Sequence, residues 1–433
     1  VVRGQKRKLN ILQFHVIIVG GVRKEHGVKP DKNNTLCNFP FAQIALKEWN
    51  KDLGIVTASP CCNSIRPSNN FDPLKFKNKL NGENVDEIFY SREMNELRES
   101  MLRGEKHSAC DVCWNRENNE NPDSFRLRSG LGFEVNFSEP KLQKIDVTFG
   151  EECNLRCRMC TPKLSNSLRK DYKFFHKNNL DVSGVEFFDF KDNRFLKDNS
   201  ENEVYYWKSN GQWQSILSKL NELKSFMASG GEPLLSKSFL EVLDKAPSNI
   251  HIDFHSNCTL FSKSIIEKLS RFDKVTLRAS IDSVYENYEY IRYPMKWKIL
   301  EKNINKIRKL NNVKIDINCV LSVLNCFDLH KLFEYFNDDK INIFVDLLVP
   351  ENKFINVKFL SKELKEKLIV EYSSYNSNRI KLNDAINFLK NDIDVQYNDS
   401  KNMMREILLF DKSRNQNYEK YLSKHLINFL NYG

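Results

Sequence analysis

An α/β fold, with parallel strands arranged as a full or partial barrel, is the class that this sequence predicts. Three observations carry the prediction. Six short apolar runs follow one another between residues 140 and 350. Stretches of helical length separate most of them. The alternation strand, helix, strand, helix implies crossover connections and a parallel sheet, and six units favour a barrel over a small open sheet.

The strands are expected at residues 145–149, 223–228, 250–255, 275–281, 313–321 and 343–349. In the first, Ile145, Val147 and Phe149 alternate with polar residues, the period of a half-buried strand. Helices are expected at residues 236–243, 263–269, 299–310 and 329–337. The interval 161–222 is long for a single connection, so an inserted element is expected there. After residue 351 helical spacing dominates: Leu360, Leu364, Leu368 and Tyr372 share one face, and Ala385, Phe388 and Leu389 mark another helix. The organisation that follows is a basic extension (residues 1–34), a cysteine-rich region (35–128), an α/β core (140–350) and a helical C-terminal region (351–433).

Composition narrows the function classes. The chain has 433 residues, 40% of them hydrophobic, enough for a large core with satellites. No apolar run reaches the ~20 residues that cross a bilayer; the longest, residues 11–22, carries Gln13 and His15. Residues 1–31 hold seven basic side chains against two acidic ones, half of the net charge of +10. The rest is only mildly basic, which speaks against a nucleic-acid surface and for a solvated extension. The first residues run basic then apolar, like a signal peptide, but no small-residue cleavage pattern follows. Eleven clustered cysteines are too few for a disulfide scaffold and suggest thiolates kept for metal in a reducing compartment, the cytoplasm.

The sharpest signal is Cys153, Cys157 and Cys160, just after the first strand. Soft thiolates select zinc, copper(I) or iron–sulfur clusters. Zinc in a structural site takes four closed ligands, so a distant residue would complete it. A [4Fe–4S] cluster held by three cysteines keeps one iron open for a ligand. Further motifs follow later strands: Gly230, Gly231, Glu232 and Pro233 after the second, Ser256, Asn257, Cys258 and Thr259 after the third, and Ser280, Ile281 and Asp282 at the end of the fourth.

This set, in this order, resembles the radical S-adenosylmethionine (radical SAM) superfamily. The resemblance implies a partial (β/α)6 barrel, a catalytic [4Fe–4S] cluster on the CxxxCxxC cysteines, and S-adenosylmethionine bound at the open iron. Glycines 230 and 231 let the backbone approach the methionine end, Glu232 takes its ammonium, and Asn257, Ser280 and Asp282 serve the ribose or the carboxylate. Met159 stands where the family usually has an aromatic near the adenine; it is apolar and polarizable and can pack on a ring edge. Reductive cleavage of S-adenosylmethionine would give a 5′-deoxyadenosyl radical that abstracts hydrogen from a substrate. A one-electron donor such as a flavodoxin or ferredoxin is implied.

The cysteine-rich region supplies Cys37, a hairpin around Gly54, then Cys61 or its neighbour Cys62, then Cys110 and Cys113. Four thiols in that pattern make a metal site without choosing the metal; a zinc knuckle stays open. The pattern resembles the auxiliary-cluster twitch module, a shortened relative of SPASM, here placed before the barrel. That implies a second [4Fe–4S] cluster on Cys37, Cys61, Cys110 and Cys113. Chains of that arrangement also tend to end in a segment like residues 410–418. By analogy the substrate is a peptide or protein, beside a small molecule. A zinc-stabilised binding protein and an RNA-modifying radical SAM enzyme are the alternatives. Cys258, Cys319 and Cys326 read as small core residues. Arg292 reads equally as a clamp for carboxylate or phosphate and as an ion-pair partner.

Overall fold

The computed structural model describes residues 30–31, 33–62 except 51–54, 64, 84–118, 124–127, 130–162, 164–182, 212–348, 353–391 and 400–432. Most of the basic extension (residues 1–29 and 32) and Gly54 lie outside the described residues. Among them runs one nine-stranded sheet. Its strands are β1 (Gln43–Asn50), β2 (Ile55–Ser59), β3 (Lys144–Thr148), β4 (Ser225–Ser229), β5 (His251–Ser256), β6 (Val275–Ser280), β7 (Val313–Leu321), β8 (Asn342–Leu347) and β9 (Ile380–Lys381). The order is β2-β1-β3-β4-β5-β6-β7-β8-β9. Every neighbouring pair is parallel except the β1–β2 hairpin.

Strands β3 to β8 are the six expected ones. With their helices they make the partial (β/α)6 barrel, extended by C-terminal helices. Side-chain alternation explains the layering. In β6, Val275, Leu277 and Ala279 are fully buried, while Arg278 on the opposite face pairs with Asp253 of β5 at 2.7 and 2.9 Å. Ile252 and Phe254 of β5 and Ile317, Cys319 and Leu321 of β7 share the apolar side. Helices cover that side: Phe239, on the helix Lys237–Lys245, packs on Phe254 at 5.6 Å and on Phe149 at 5.7 Å. The crossover helices start where the sequence supplies a cap. Ser236 and Ser262 accept the amides of Phe239 and Ile265, satisfying donors that a first turn leaves open.

Three strands were not expected in this sheet. The cysteine-rich region does not stand apart from the core: its β1 runs parallel to β3, with Gln43 opposite Lys144, and the hairpin extends the sheet to β2. At the other edge β9, from the C-terminal region, pairs Ile380 with Ile343. The long interval after β3 holds the helices Arg169–Lys177 and Gln212–Lys219. Cys258, Cys319 and Cys326 are fully buried in the core. No helix among the described residues is long and apolar enough to cross a membrane.

The aromatic cluster under β3 to β5 is the packing that seats the loops above it. Phe226 is fully buried and lies 6.3 Å from the Phe149 ring. Phe226→Ala should lower the apparent stability by about 3–5 kcal/mol, read as a shift of the denaturant midpoint.

Candidate functional site

The chain leaves β3 through Phe149, whose amide donates to the Ser229 carbonyl at 2.8 Å, and Gly150, whose φ of 88° needs no Cβ. The loop then carries Cys153, Cys157 and Cys160. It is held from three sides. Arg156 and Arg158 donate backbone amides to the carbonyls of Tyr293 and Ile291 at 2.7 and 2.9 Å. Ser165 and Ser167 hydroxyls cap the carbonyls of Leu155 and Cys153, both at 2.6 Å.

The three thiols lie near enough to act on one another. Burial pushes Cys157 up to about 12, against the pull of the Arg292 guanidinium, and the neighbouring Cys160 and Cys153 raise it further. Cys160 is pushed up to about 11 by burial and then by Cys153. Burial also raises Cys153. Such thiols stay protonated until a metal displaces the proton. Weak donors await the resulting thiolates: Leu155 N lies 3.5 Å and Asn257 Nδ2 3.8 Å from Cys153 Sγ, and Arg292 Nη1 lies 3.8 Å from Cys157 Sγ. Among the described residues no three His, Cys, Asp or Glu side chains are grouped tightly enough for a single metal ion. Three soft thiols on one buried loop are a donor set that an iron–sulfur cluster accepts, with one iron left without a protein ligand.

The glycine pair lies against the loop after β3. A Cβ on Gly231 would sit 2.2 Å from the Glu152 carbonyl oxygen, and one on Gly230 would sit 2.8 Å from that of Gly150. Gly231 and Glu232 donate their amides to those same two residues, Gly150 O and Glu152 O, both at 2.8 Å. The close approach is to the cysteine loop's own backbone. Glu232 is held in the same rim. Its carboxylate is buried and accepts from Ser256 Oγ at 3.0 Å, Leu234 N at 3.2 Å and Asn257 N at 2.7 Å. It ties the turn after β4 to the turn after β5. Burial raises it to about 7 despite those donors.

Asp282 is likewise engaged by the protein. It is fully buried, with Oδ2 on Arg292 Nε at 2.5 Å and Oδ1 on Val320 N at 2.8 Å. Both oxygens serve the protein. Arg292 pairs with Asp282 and also lies beside Cys157. Ser280 is half-buried, and among the described residues its hydroxyl makes no hydrogen bond, which leaves it for a polar ligand. Asn257 donates to Asn154 Oδ1 at 2.9 Å and accepts from Thr259 N at 3.0 Å, so it braces the turn beside Cys153. Met159 is buried in the loop. Cys258 holds a left-handed φ of 62° that a glycine would adopt without strain.

The N-terminal thiols also gather. Cys110 is pushed well up by burial and then by Cys37, Cys61 and Cys113; Cys37 is raised by burial and then by Cys61. Cys37 precedes β1 and Cys61 follows β2, so this group sits at the end of the sheet opposite the triplet, which follows β3. Cys61 is buried and Cys62 half-buried. Arg126, unremarked in the sequence, lowers Cys37, Cys110 and Cys113 electrostatically. It is buried, pairs with Glu117 at 2.5 Å, and lies over the Trp114 ring at 4.8 Å. A lone arginine carries no sequence pattern that would have found it.

Two outcomes are expected. Gly231→Ala should cost about 1–3 kcal/mol or more, because its Cβ meets backbone and not a flexible side chain; a thermal shift checks it. Glu232 keeps its proton to about pH 7 in the folded chain, against 4.5 as a free carboxyl. The folded state holds the extra proton between those values, so stability should fall as pH rises across that window. The stability difference between wild type and Glu232→Gln should shrink by up to about 3 kcal/mol from its acid to its neutral end, measured by denaturant unfolding of the metal-free chain.

The Radical SAM superfamily matches residues 147–336. Among solved structures, Streptococcus suis SuiB bound to S-adenosylmethionine is 15% identical, with a TM-score of 0.34 over 55% of this chain and 49% of that one. Native anSMEcpe with bound AdoMet is 17% identical, with a TM-score of 0.36 over 54% of this chain and 60% of that one. TYW1 with a lysine-pyruvate adduct bound is 16% identical, with a TM-score of 0.27 over 51% and 68%. The chain spans about half the length of SuiB and about three fifths of anSMEcpe. At these scores the likenesses decide neither fold nor chemistry. No curated protein matches. The thiol-bearing loop at the end of β3 and the family match coincide: residues 147–336 of this chain are a Radical SAM superfamily domain.

Proposed function

We propose that this chain is an S-adenosylmethionine-dependent radical enzyme. The observation that carries the reading is the convergence of Cys153, Cys157 and Cys160 on one buried loop at the end of β3, within the family domain. These three thiolates would hold a [4Fe–4S] cluster and leave one iron without a protein ligand. The cluster, when bound, supplies the electron that cleaves S-adenosylmethionine to methionine and a 5′-deoxyadenosyl radical, which takes hydrogen from the substrate. The protein's own work is placement and exclusion of water. Leu155 N, Asn257 Nδ2 and Arg292 stabilise the thiolates, while Glu232 and Asp282 fix the turns that carry those donors. The Ser280 hydroxyl is available to S-adenosylmethionine, and Met159 supplies apolar surface.

Cys37, Cys61, Cys110 and Cys113 would hold an auxiliary [4Fe–4S] cluster. Arg126 offsets part of the negative charge that four thiolates leave uncancelled, whether they hold a zinc ion or a cluster. A peptide or protein substrate follows from the resemblance to auxiliary-cluster modules, and a flavodoxin- or ferredoxin-like protein would deliver the electron. All eleven cysteines are free, which suits a reducing compartment such as the cytoplasm.

Anaerobic purification and reconstitution test the reading. A brown protein with about eight irons is expected, with about four remaining in Cys110→Ala/Cys113→Ala. Reduced protein given S-adenosylmethionine alone should release 5′-deoxyadenosine slowly, and Cys157→Ala should release none. A colourless chain carrying zinc would defeat the proposal.

A further inference from the structure

The family domain ends at Phe336, yet the buried partners of the cysteine loop's charged groups come from beyond it. Arg158, between the second and third cysteines, is fully buried and lies 3.6 Å from the Tyr290 ring centroid. Its guanidinium donates to Asp411 at 2.5 Å, to Gln416 Oε1 at 2.9 Å and to the Ile407 carbonyl at 3.3 Å. Asp411 also accepts from Tyr290 Oη at 2.8 Å and from Tyr418 N at 2.7 Å. Asp171, at the far end of the loop, is held by Arg414 at 3.0 and 3.2 Å and by Ser413 at 2.6 Å. Asp411, Arg414, Gln416 and Tyr418 belong to the C-terminal segment singled out in the sequence. Its physical role is to hold the cysteine loop, which the helix Ser400–Arg414 and the turn after it grip from outside the family domain.

A second buried pair reaches closer to the thiols. Lys353 Nζ donates to the carbonyls of Arg158 at 2.7 Å and Cys160 at 3.0 Å, and pairs with Glu406 at 3.6 Å. Both side chains are buried. Glu406 Oε2 in turn accepts the Phe354 amide at 2.9 Å. An ammonium group on the backbone of a ligating cysteine, out of water, favours extra negative charge nearby and so favours reduction of whatever that cysteine binds. The carboxylate behind it does the reverse.

We infer that Lys353, Glu406, Asp411, Arg414 and Gln416 form a buried charge clamp on the cysteine loop, and that the Lys353–Glu406 pair sets the reduction potential of the group the loop holds. The second half rests on the cluster reading above; the first does not. Lys353 and Glu406 are positioning residues on this account, since neither touches the reacting atoms.

The full chain, reconstituted anaerobically, is titrated electrochemically while the paramagnetic signal that responds to S-adenosylmethionine is followed. Glu406→Gln keeps shape and removes a negative charge, so the midpoint should move positive of wild type. Lys353→Met/Glu406→Gln differs from that variant only by the ammonium and leaves no buried charge alone; its midpoint should move negative of the single variant. A mere packing defect would not give opposite signs. Midpoints of both variants equal to wild type would overturn the tuning role. In the metal-free chain, Asp411→Asn should speed amide exchange in residues 153–160 about tenfold, with β5 to β7 unchanged. Exchange at the wild-type rate would overturn the clamp. Should wild type bind no iron on the triplet, the cluster reading falls, and the exchange measurement still decides the clamp.

Discussion

Backbone meeting backbone, with no side chain between, is the constraint on which the rest of this structure depends. The turn after β4 lies directly against the loop after β3, and the amides of Gly231 and Glu232 are spent on the carbonyls of Gly150 and Glu152. Only glycine fits there. The contact fixes where the cysteine loop begins. From it the chain reaches the turn after β5 through Glu232, and the segment after β6 through the amides of Arg156 and Arg158. Each strand end thereby references its neighbour. The thiols are placed by a rigid rim and not by the loop's own preferences.

The carboxylates in this rim are spent on order. Glu232 and Asp282 each use both oxygens on protein donors. A buried acid so engaged tethers turns that would otherwise move independently. Arg292 extends the same logic to the thiols: one face of the guanidinium satisfies Asp282 while the other reaches toward Cys157. Counter-charge for the cluster loop is built into the scaffold before any ligand arrives.

Much of this was legible in the sequence, for reasons that can be stated. The six core strands announce themselves because burial on one face imposes alternation, as in Val275, Leu277 and Ala279. The triplet and the glycine pair are legible because thiolate chemistry and backbone contact admit no substitutes. β9 escaped because it is two residues long, and β1 because a hairpin gives no hint of the strand it will pair with. Side-chain partners were less legible. Those of Glu232 and Asp282, namely Ser256, Arg292 and Val320, lie 10 to 38 residues away along the chain. Lys353 and Asp411 lie further still, 193 and 253 residues from their partners in the loop, and no local pattern reports such a pairing.

The two thiol groups also differ in when they can be completed. Cys37, Cys61, Cys110 and Cys113, with Arg126 beside them, are all made before β3 leaves the ribosome. The triplet emerges next, but the partners of Arg158 and Asp171 at 407–416 follow only some 250 residues later. Until they are made, the cysteine loop lacks the buried ion-pair partners Asp411 and Arg414, whereas the N-terminal thiol group already has all its members.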